Sequence, residues 1–413
     1  MELLSPAGNL EKLKVAIRFG ADAVYCGGGS FSLRAPDTSF SLSELAEGIR
    51  FAHDHDRRVY LAMNIFAFDE DMEEMIAYFE EAAKLGIDAV IVSDPGVIRR
   101  IRESGSKVKI HLSTQANTTN SDSVKFWRDQ GVDRIVTARE LSLDRIRAMK
   151  EKVPEVELEV FVHGAMCIAY SGRCLLSSFL NQRSANRGHC SQPCRWEYML
   201  KEKMSGEELA IEEDARGTYI LNSRDLCMIG QIPALAAAGV NSLKIEGRMK
   251  TAYYVAAVTR VYRAALDDFD RSGPSYNYDP QWLEELARVS HRPHTTGFYL
   301  PGQEGDTEYM ADSSYIRGYD FVGTVDEHNL EKNSLRIKAR NRFFLGDALE
   351  ILDHNHREII RFRADQIIDQ KTGNSLEAAH NSYIVDVSLI TGVNHKISKH
   401  ALIRRRSDTG PLK

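Results

Sequence analysis

Cys167, Cys174, Cys190, Cys194 and Cys227 crowd into one stretch of a 413-residue chain whose sixth cysteine, Cys26, stands apart. Thiolates are soft metal ligands, and four that converge can hold zinc or an iron–sulfur cluster. Spacing helps to choose. Cys190 and Cys194, with three residues between them, resemble half of a zinc knuckle, but the six between Cys167 and Cys174 are wide for the usual zinc pairing. Cys227 is distant from both pairs. Ligands scattered in this way suit an iron–sulfur cluster, with one thiol of the five to spare. Lone cysteines are usually small buried apolar side chains; five in one region favour a metal. The Cys-x3-Cys-x2-Cys arrangement of radical enzymes is missing, because Arg195-Trp196-Glu197 follows Cys194.

A second group of residues stands at the ends of short apolar runs: Asn64, His111, Gln115, His163, Glu246, Arg248 and Lys250. His111, Gln115, His163 and Glu246 are the candidate catalytic groups, able to donate or accept protons or hydrogen bonds. Asn64, Arg248 and Lys250 are candidate substrate-binding groups. Arginine would grip a carboxylate or phosphate through its fork, lysine as a point charge. Any one of them is as well explained by an ordinary structural hydrogen bond; the set is the signal. The cysteine-rich segment also carries Arg173, Arg183, Arg187, His189 and Arg195, with Trp196 and Tyr198 following. Cations interleaved with aromatics suit single-stranded nucleic acid, which makes Arg187 and Arg195 binding candidates. A solvated basic loop is the competing reading. Lys399, His400 and Arg404-Arg405-Arg406 read as a basic tail.

These groups need elements to hold them. The first 250 residues alternate eight β-like runs (Glu2–Leu4, Ala23–Cys26, Val59–Met63, Ala89–Val92, Lys109–Leu112, Arg134–Thr137, Leu158–Val162, Ser242–Ile245) with amphipathic helical segments. Four runs follow Gly-x-Asp or Gly-x-Asn, a glycine able to close a helix in the left-handed region before the chain enters a strand. Eight strand–helix units over this length predict a (β/α)8 TIM-like barrel, with a doubly wound open sheet as the alternative. A large insertion, residues 164–241, leaves strand 7 on the face where such barrels place their chemistry. It holds the five cysteines and should include the seventh helix near its end. The barrel with its insertion is assigned to residues 1–300. Thr251–Asp268 reads as a helix, and Asp279-Pro280 opens another running to about Val289. Short runs at 321–325, 334–339, 348–352, 359–362 and 382–388 predict a small C-terminal β-barrel-like domain over 310–413.

Composition excludes little and sets bounds. The net charge of −6 removes any global nucleic-acid signal, so such a site must be a local basic patch. No apolar run approaches a membrane span, and no signal-peptide pattern follows Met1, so a cytoplasmic location with reduced thiols is expected. His-Glu-x-x-His, Gly-x-Ser-x-Gly and Walker patterns are missing, and Gly27-Gly28-Gly29 fits a tight turn better than a dinucleotide fingerprint.

The run from Glu159 to Ser177 closely resembles the signature of the collagenase-like peptidase family (family U32), through Glu159, Phe161, Gly164, Ala165, Met166, Cys167, Gly172, Cys174, Leu176 and Ser177. Ser184–Arg195, Lys244–Lys250 and Ser290–Phe298 resemble further motifs of the family. The family name implies proteolysis, yet no nucleophile and base can be named here. Its iron–sulfur members act in hydroxylation, and length and the C-terminal β domain liken this chain most to those that hydroxylate tRNA. That likeness implies 5-hydroxyuridine formation at the wobble position of the anticodon loop, with prephenate as co-substrate and a [4Fe–4S] cluster. By similarity the ligands are Cys167, Cys174, Cys190 and Cys227, with Cys194 as the alternate. A peptidase and a non-catalytic RNA-binding factor are the other two readings.

Overall fold

A computed structural model describes residues 1–33, 39–167, 169–196, 213–214, 217–218, 224–300, 316, 318–388 and 395–407. Eight parallel strands form its first unit: β1 (Glu2–Ala7), β2 (Ala23–Gly28), β3 (Arg58–Ala62), β4 (Ala89–Val92), β5 (Lys109–Leu112), β6 (Arg134–Val136), β7 (Glu157–Ala165) and β8 (Ser242–Ile245). Each pairs with the next, and Ser242 of β8 faces both Glu2 of β1 and Glu159 of β7. The sheet therefore closes into a TIM-like barrel, and the open-sheet alternative falls. Helices fill the connections, several with side-chain caps: Asn9 accepts from the Lys12 amide, Ser41 and Glu44 form a capping box, and Asp94 precedes Pro95.

The Gly-x-Asp and Gly-x-Asn turns do more than end helices. Gly20, Gly86, Gly131 and Gly239 all have positive φ. The carboxylate or amide two residues later then reaches back to the preceding strand. Asp22 accepts from the Leu3 amide at 2.9 Å, Asp88 from Val59 at 2.8 Å, Asp133 from Ile110 at 2.8 Å and Asn241 from Leu158 at 3.0 Å. Each even strand thus fastens the start of the odd strand before it, which sets register on the face opposite the loops that could do chemistry.

Charge fills much of the barrel's centre. Glu159 is fully buried, with Lys244 Nζ at 2.8 Å and Arg134 at 3.2 Å. Arg134 also pairs with Glu2 and Glu157. Glu2 accepts from Tyr60 and Ser242 as well. Buried charges survive only when paired in this way.

Past the barrel's end β7 continues and pairs antiparallel with Asp225–Cys227, which pairs in parallel with His294–Thr295. The seventh helix, Ile232–Ala237, follows. The helix after β8 runs from Ala252 to Ser272 and buries Tyr254, Val258, Val261 and Tyr262. Asp279 accepts from the Gln281 amide as expected of a cap, but the helix it opens ends at Leu286.

The second unit comprises residues 284–291 and 315–413. Its seven-stranded sheet is antiparallel throughout, in the order 359–363, 348–352, 402–406, 319–329, 334–339, 384–388, 367–369. Among the described residues the two ends of this order do not pair. The presumed basic tail is the strand Leu402–Arg406 at the sheet's interior. Arg404 is fully buried because Glu285 (2.9 Å) and Glu350 (2.8 Å) neutralise it. A charge run reads as solvated only if its partners, far away in sequence, go unseen.

Candidate active site at the barrel mouth

The C-terminal ends of the strands surround a cavity. Three cations, Arg139, Lys244 and Arg248, and one carboxylate, Glu246, line it together with Gln115 and Asn64. Lys244 and Arg248 are nearly inaccessible to solvent outside it. Lys244 lies 4.6 Å from the centre of the Tyr25 ring. The Tyr25 hydroxyl donates to the Ile245 carbonyl (3.0 Å) and reaches Glu246 (3.3 Å). Burial, then the Glu246 charge, pushes the Tyr25 phenol well above its ordinary range, so it remains a donor. On the opposite wall Asn64 donates to Ser113 (3.1 Å), and Ser113 donates to the Gln115 side-chain oxygen (3.2 Å). The buried Gln115 Nε2 has no partner among the described residues, which leaves an amide donor available in a cationic cavity. Such a site suits a small anion with several oxygen acceptors.

The sequence candidates divide. Asn64, Gln115, Glu246 and Arg248 come together here. His163 does not. The register slips between Lys244↔Phe161 and Ile245↔His163, and this bulge re-aims the side chain. Its ring faces Tyr262 at 5.6 Å, His294 at 5.7 Å and Tyr254 at 6.0 Å, off the cavity. His111 lies inside the barrel, edge-on to Tyr60 at 4.7 Å, and does not line the cavity. Burial, then Arg134 and Lys244, hold its pKa well below the ordinary value, so it is neutral. Lys250 lies over the Tyr254 ring at 5.4 Å, also outside the lining. Arg187 is engaged internally: it grips Asp71 through both nitrogens (2.6 and 3.0 Å), donates to the Phe66 carbonyl (3.0 Å) and covers the Phe68 ring (4.3 Å). The side chain of Arg195 lies outside the described residues. Lys244, Tyr25 and Arg139 were missed. Arg139 lies three residues past the end of β6, so the strand-end rule that found Asn64 would have found it too. Lys244 alternates inward with Ser242 in β8, a signal hidden by reading the strand as apolar.

The cysteine segment is fastened over this mouth. Glu140 accepts from the Ser171 amide at 2.8 Å, and the Phe66 amide donates to Asn186 at 2.9 Å. Gly172, at φ +74°, lies so close to the Gln115 backbone that a Cβ would come within 2.5 Å of its oxygen. None of the six cysteines is joined in a disulfide. Arg139 approaches Cys167 Sγ at 3.5 Å and the Gln192 amide approaches Cys190 Sγ at 3.4 Å, donors of the kind that tune cluster sulfurs. The donor chemistry therefore fits an iron–sulfur group, but the arrangement does not close one. Among the described residues no three Cys, His, Asp or Glu side chains form a metal-holding group. Cys227 pairs with His163, whereas Asp225 faces Ala165, so the strand runs Cys227 away from Cys167. Cys227 is buried, and burial pushes its thiol up to about 11.

Comparison with known proteins adds breadth. A family model described as peptidase family U32 matches residues 8–308, and one for the C-terminal domain of that family matches 317–404. The "tRNA hydroxylation protein P1" of Bacillus subtilis is 40% identical over 92% of this chain and 89% of its own length. The 23S rRNA 5-hydroxycytidine C2501 synthase of Escherichia coli is 34% identical over 99% of this chain and 59% of its own. A protein of Porphyromonas gingivalis named collagenase is 35% identical over 81% of this chain and 84% of its own.

Proposed function

The chain belongs to peptidase family U32, and from that premise we infer that it is an RNA-modifying enzyme that hydroxylates a pyrimidine base. The cationic cavity at the mouth of the barrel, beside a basic cysteine-rich segment, carries the reading. Relatives named for tRNA and rRNA hydroxylation match most of this chain. The finer proposal is 5-hydroxyuridine at the wobble position of tRNA. That product requires one oxygen atom and removal of two electrons from the base. Arg, Lys, Glu and Gln side chains carry no redox chemistry, so these fall to bound co-substrates. Prephenate, with two carboxylates, suits a cavity lined by Arg139, Lys244 and Arg248 with Gln115 as donor. Tyr25 and Lys244 would orient it, and Glu246 is the lining group able to accept a proton. By similarity a [4Fe–4S] group would fall to Cys167, Cys174, Cys190 and Cys227, with Cys194 as alternate, and would supply one-electron transfer once those thiols are drawn closer than the described arrangement holds them.

The test is nucleoside analysis of bulk tRNA from a deletion strain. Loss of 5-hydroxyuridine, restored by the wild-type gene and not by Cys174→Ala, supports the proposal; unchanged nucleosides sink it. Anaerobically purified protein should hold about four iron and four sulfide per chain. The peptidase reading lacks a catalytic pair. Among the described residues no histidine lines the cavity, and Ser113 Oγ is occupied by Asn64 and Gln115.

A further inference from the structure

The short helix Leu176–Asn181 is turned inside out. Its polar residues point into the protein: Ser177, fully buried, bonds Ser191 Oγ at 3.0 Å, and Asn181 Nδ2 donates to the same hydroxyl at 2.6 Å. Two of its three apolar residues, Phe179 and Leu180, point out. Phe179 is 85% exposed, Leu180 is 41% exposed, and nearby Leu175 and Tyr170 are 72% and 64% exposed. Water penalises each of these by the apolar area left uncovered, and single exposed apolar residues are ordinary, but a contiguous set marks a binding surface. Flexibility does not account for it, since the segment is fastened to the barrel at Ser171–Glu140, Gly172–Gln115 and Arg187–Asp71.

Charge identifies the occupant. Residues 164–196 contain four arginines and no aspartate or glutamate, within a chain of net charge −6. Arg187 faces inward to Asp71, while Arg173, Arg183 and His189 are exposed alongside the apolar set. Aromatic faces beside solvent-facing cations, with no carboxylate in the segment, match unstacked bases on a phosphate backbone. A protein partner would be met equally well by the apolar groups but would not call for exposed cations in a segment that carries no carboxylate of its own.

We propose that this outward face, centred on Phe179 with Arg173 and Arg183, is the docking surface for a single-stranded RNA loop, Phe179 stacking on a base. The proposal rests on the RNA-modification reading and adds to it the place where the RNA is held, on the insertion and next to the cavity. Phe179→Ala should weaken binding of a stem–loop RNA by roughly 5- to 150-fold, the range of one lost base–aromatic stack. Phe179→Trp should retain binding. Arg173→Gln and Arg183→Gln should each reduce the slope of log affinity against log salt by about 0.7, which a purely structural role would not move. The assay is fluorescence anisotropy on the full chain, with a fully paired duplex as control and thermal melting to check each variant's fold. Unchanged affinity in Phe179→Ala together with unchanged salt slopes overturns the proposal. So does a Phe179→Ala variant that alters oligomeric state and leaves RNA affinity intact, which would assign the face to protein. The hydroxylation reading fails separately. If deletion leaves tRNA nucleosides unchanged while Phe179→Ala still loses RNA, the surface stands and the activity assignment falls.

Discussion

Replacing Arg187 by glutamine should loosen the cysteine segment and leave RNA affinity almost untouched. Its guanidinium makes three contacts: the forked pair with Asp71, the Phe66 carbonyl and the Phe68 ring. The paired side chains are 28% and 15% exposed, so solvent screens the charge term to about 0.5–1 kcal/mol. The carbonyl bond contributes about 0.5–1.5 kcal/mol and the ring contact about 0.5–1 kcal/mol. One guanidinium makes all three, so the whole comes to about 1–3 kcal/mol. That free energy ties Asn186–Arg187 to Phe66–Asp71, well away from the barrel's core, so its loss is local. Opening of this segment should rise by roughly 5- to 150-fold while global melting scarcely moves. Hydrogen exchange at the Phe66 amide, which donates to Asn186, reads the opening directly. Asp71→Asn, which keeps the carbonyl and ring contacts, should show only the share of the effect due to the pair, and the double variant should be no worse than Arg187→Gln. The Arg187 hydrogen bond holds the Asp71 carboxyl below its ordinary value of 3.8. The contribution is therefore complete above that value and is lost as pH falls below it, so protection should be flat from about pH 5 to 8. If Arg187→Gln instead weakens RNA binding and flattens its salt dependence, while Asp71→Asn leaves exchange unchanged, the guanidinium is a ligand contact and the scaffold argument is wrong.

Three further outcomes follow from the burial of charge and thiol. Glu159→Gln strands Lys244 and part of Arg134 inside the barrel and should cost about 3–5 kcal/mol in denaturant melts, with Glu159→Leu plus Lys244→Met recovering part of it; a loss under 1 kcal/mol would mean water reaches the pair. With a maleimide at pH 8, Cys167 should label first and Cys26 and Cys227 last, because burial pushes the latter two thiols up to about 12 and about 11; mass spectrometry of early time points checks the order. Neutral, buried His111 should show no imidazole titration between pH 5 and 8 by NMR. Because the unfolded state takes up a proton there and the folded state does not, stability should fall as pH drops below about 6.5, and His111→Gln should lessen that slope.

How legible the fold was depended on whether the signal was local. All eight barrel strands were readable because helix-closing glycines and apolar runs repeat within a few residues. The role of the aspartates after those glycines was not, since each bonds a strand one unit back in the chain. Arg404 was mistaken for a tail for the same reason, its partners Glu285 and Glu350 lying 119 and 54 residues away. In the candidate site, strand-end position found Asn64, Gln115, Glu246 and Arg248. It failed at His163 because one bulge reverses the inward–outward alternation on which the rule depends. It failed at Lys244 because a lysine facing into a barrel makes sense only once Glu159, on the neighbouring strand, is seen beneath it.

Lys244 also explains why the barrel holds charge at all. An apolar filling of its centre would be at least as stable as the ion pairs now there. What Glu159 provides is position: paired at 2.8 Å below, the Lys244 ammonium is held against the floor of the cavity and does not have to be gathered from solvent when an anion arrives. Arg134 holds Glu159 in turn, and Glu2 and Glu157 hold Arg134 near the other end of the barrel. A cation fixed in advance costs no reorganisation on binding, which is where a preorganised site gains over water. The stability given up in the core is thus spent on a cavity whose charge stands ready.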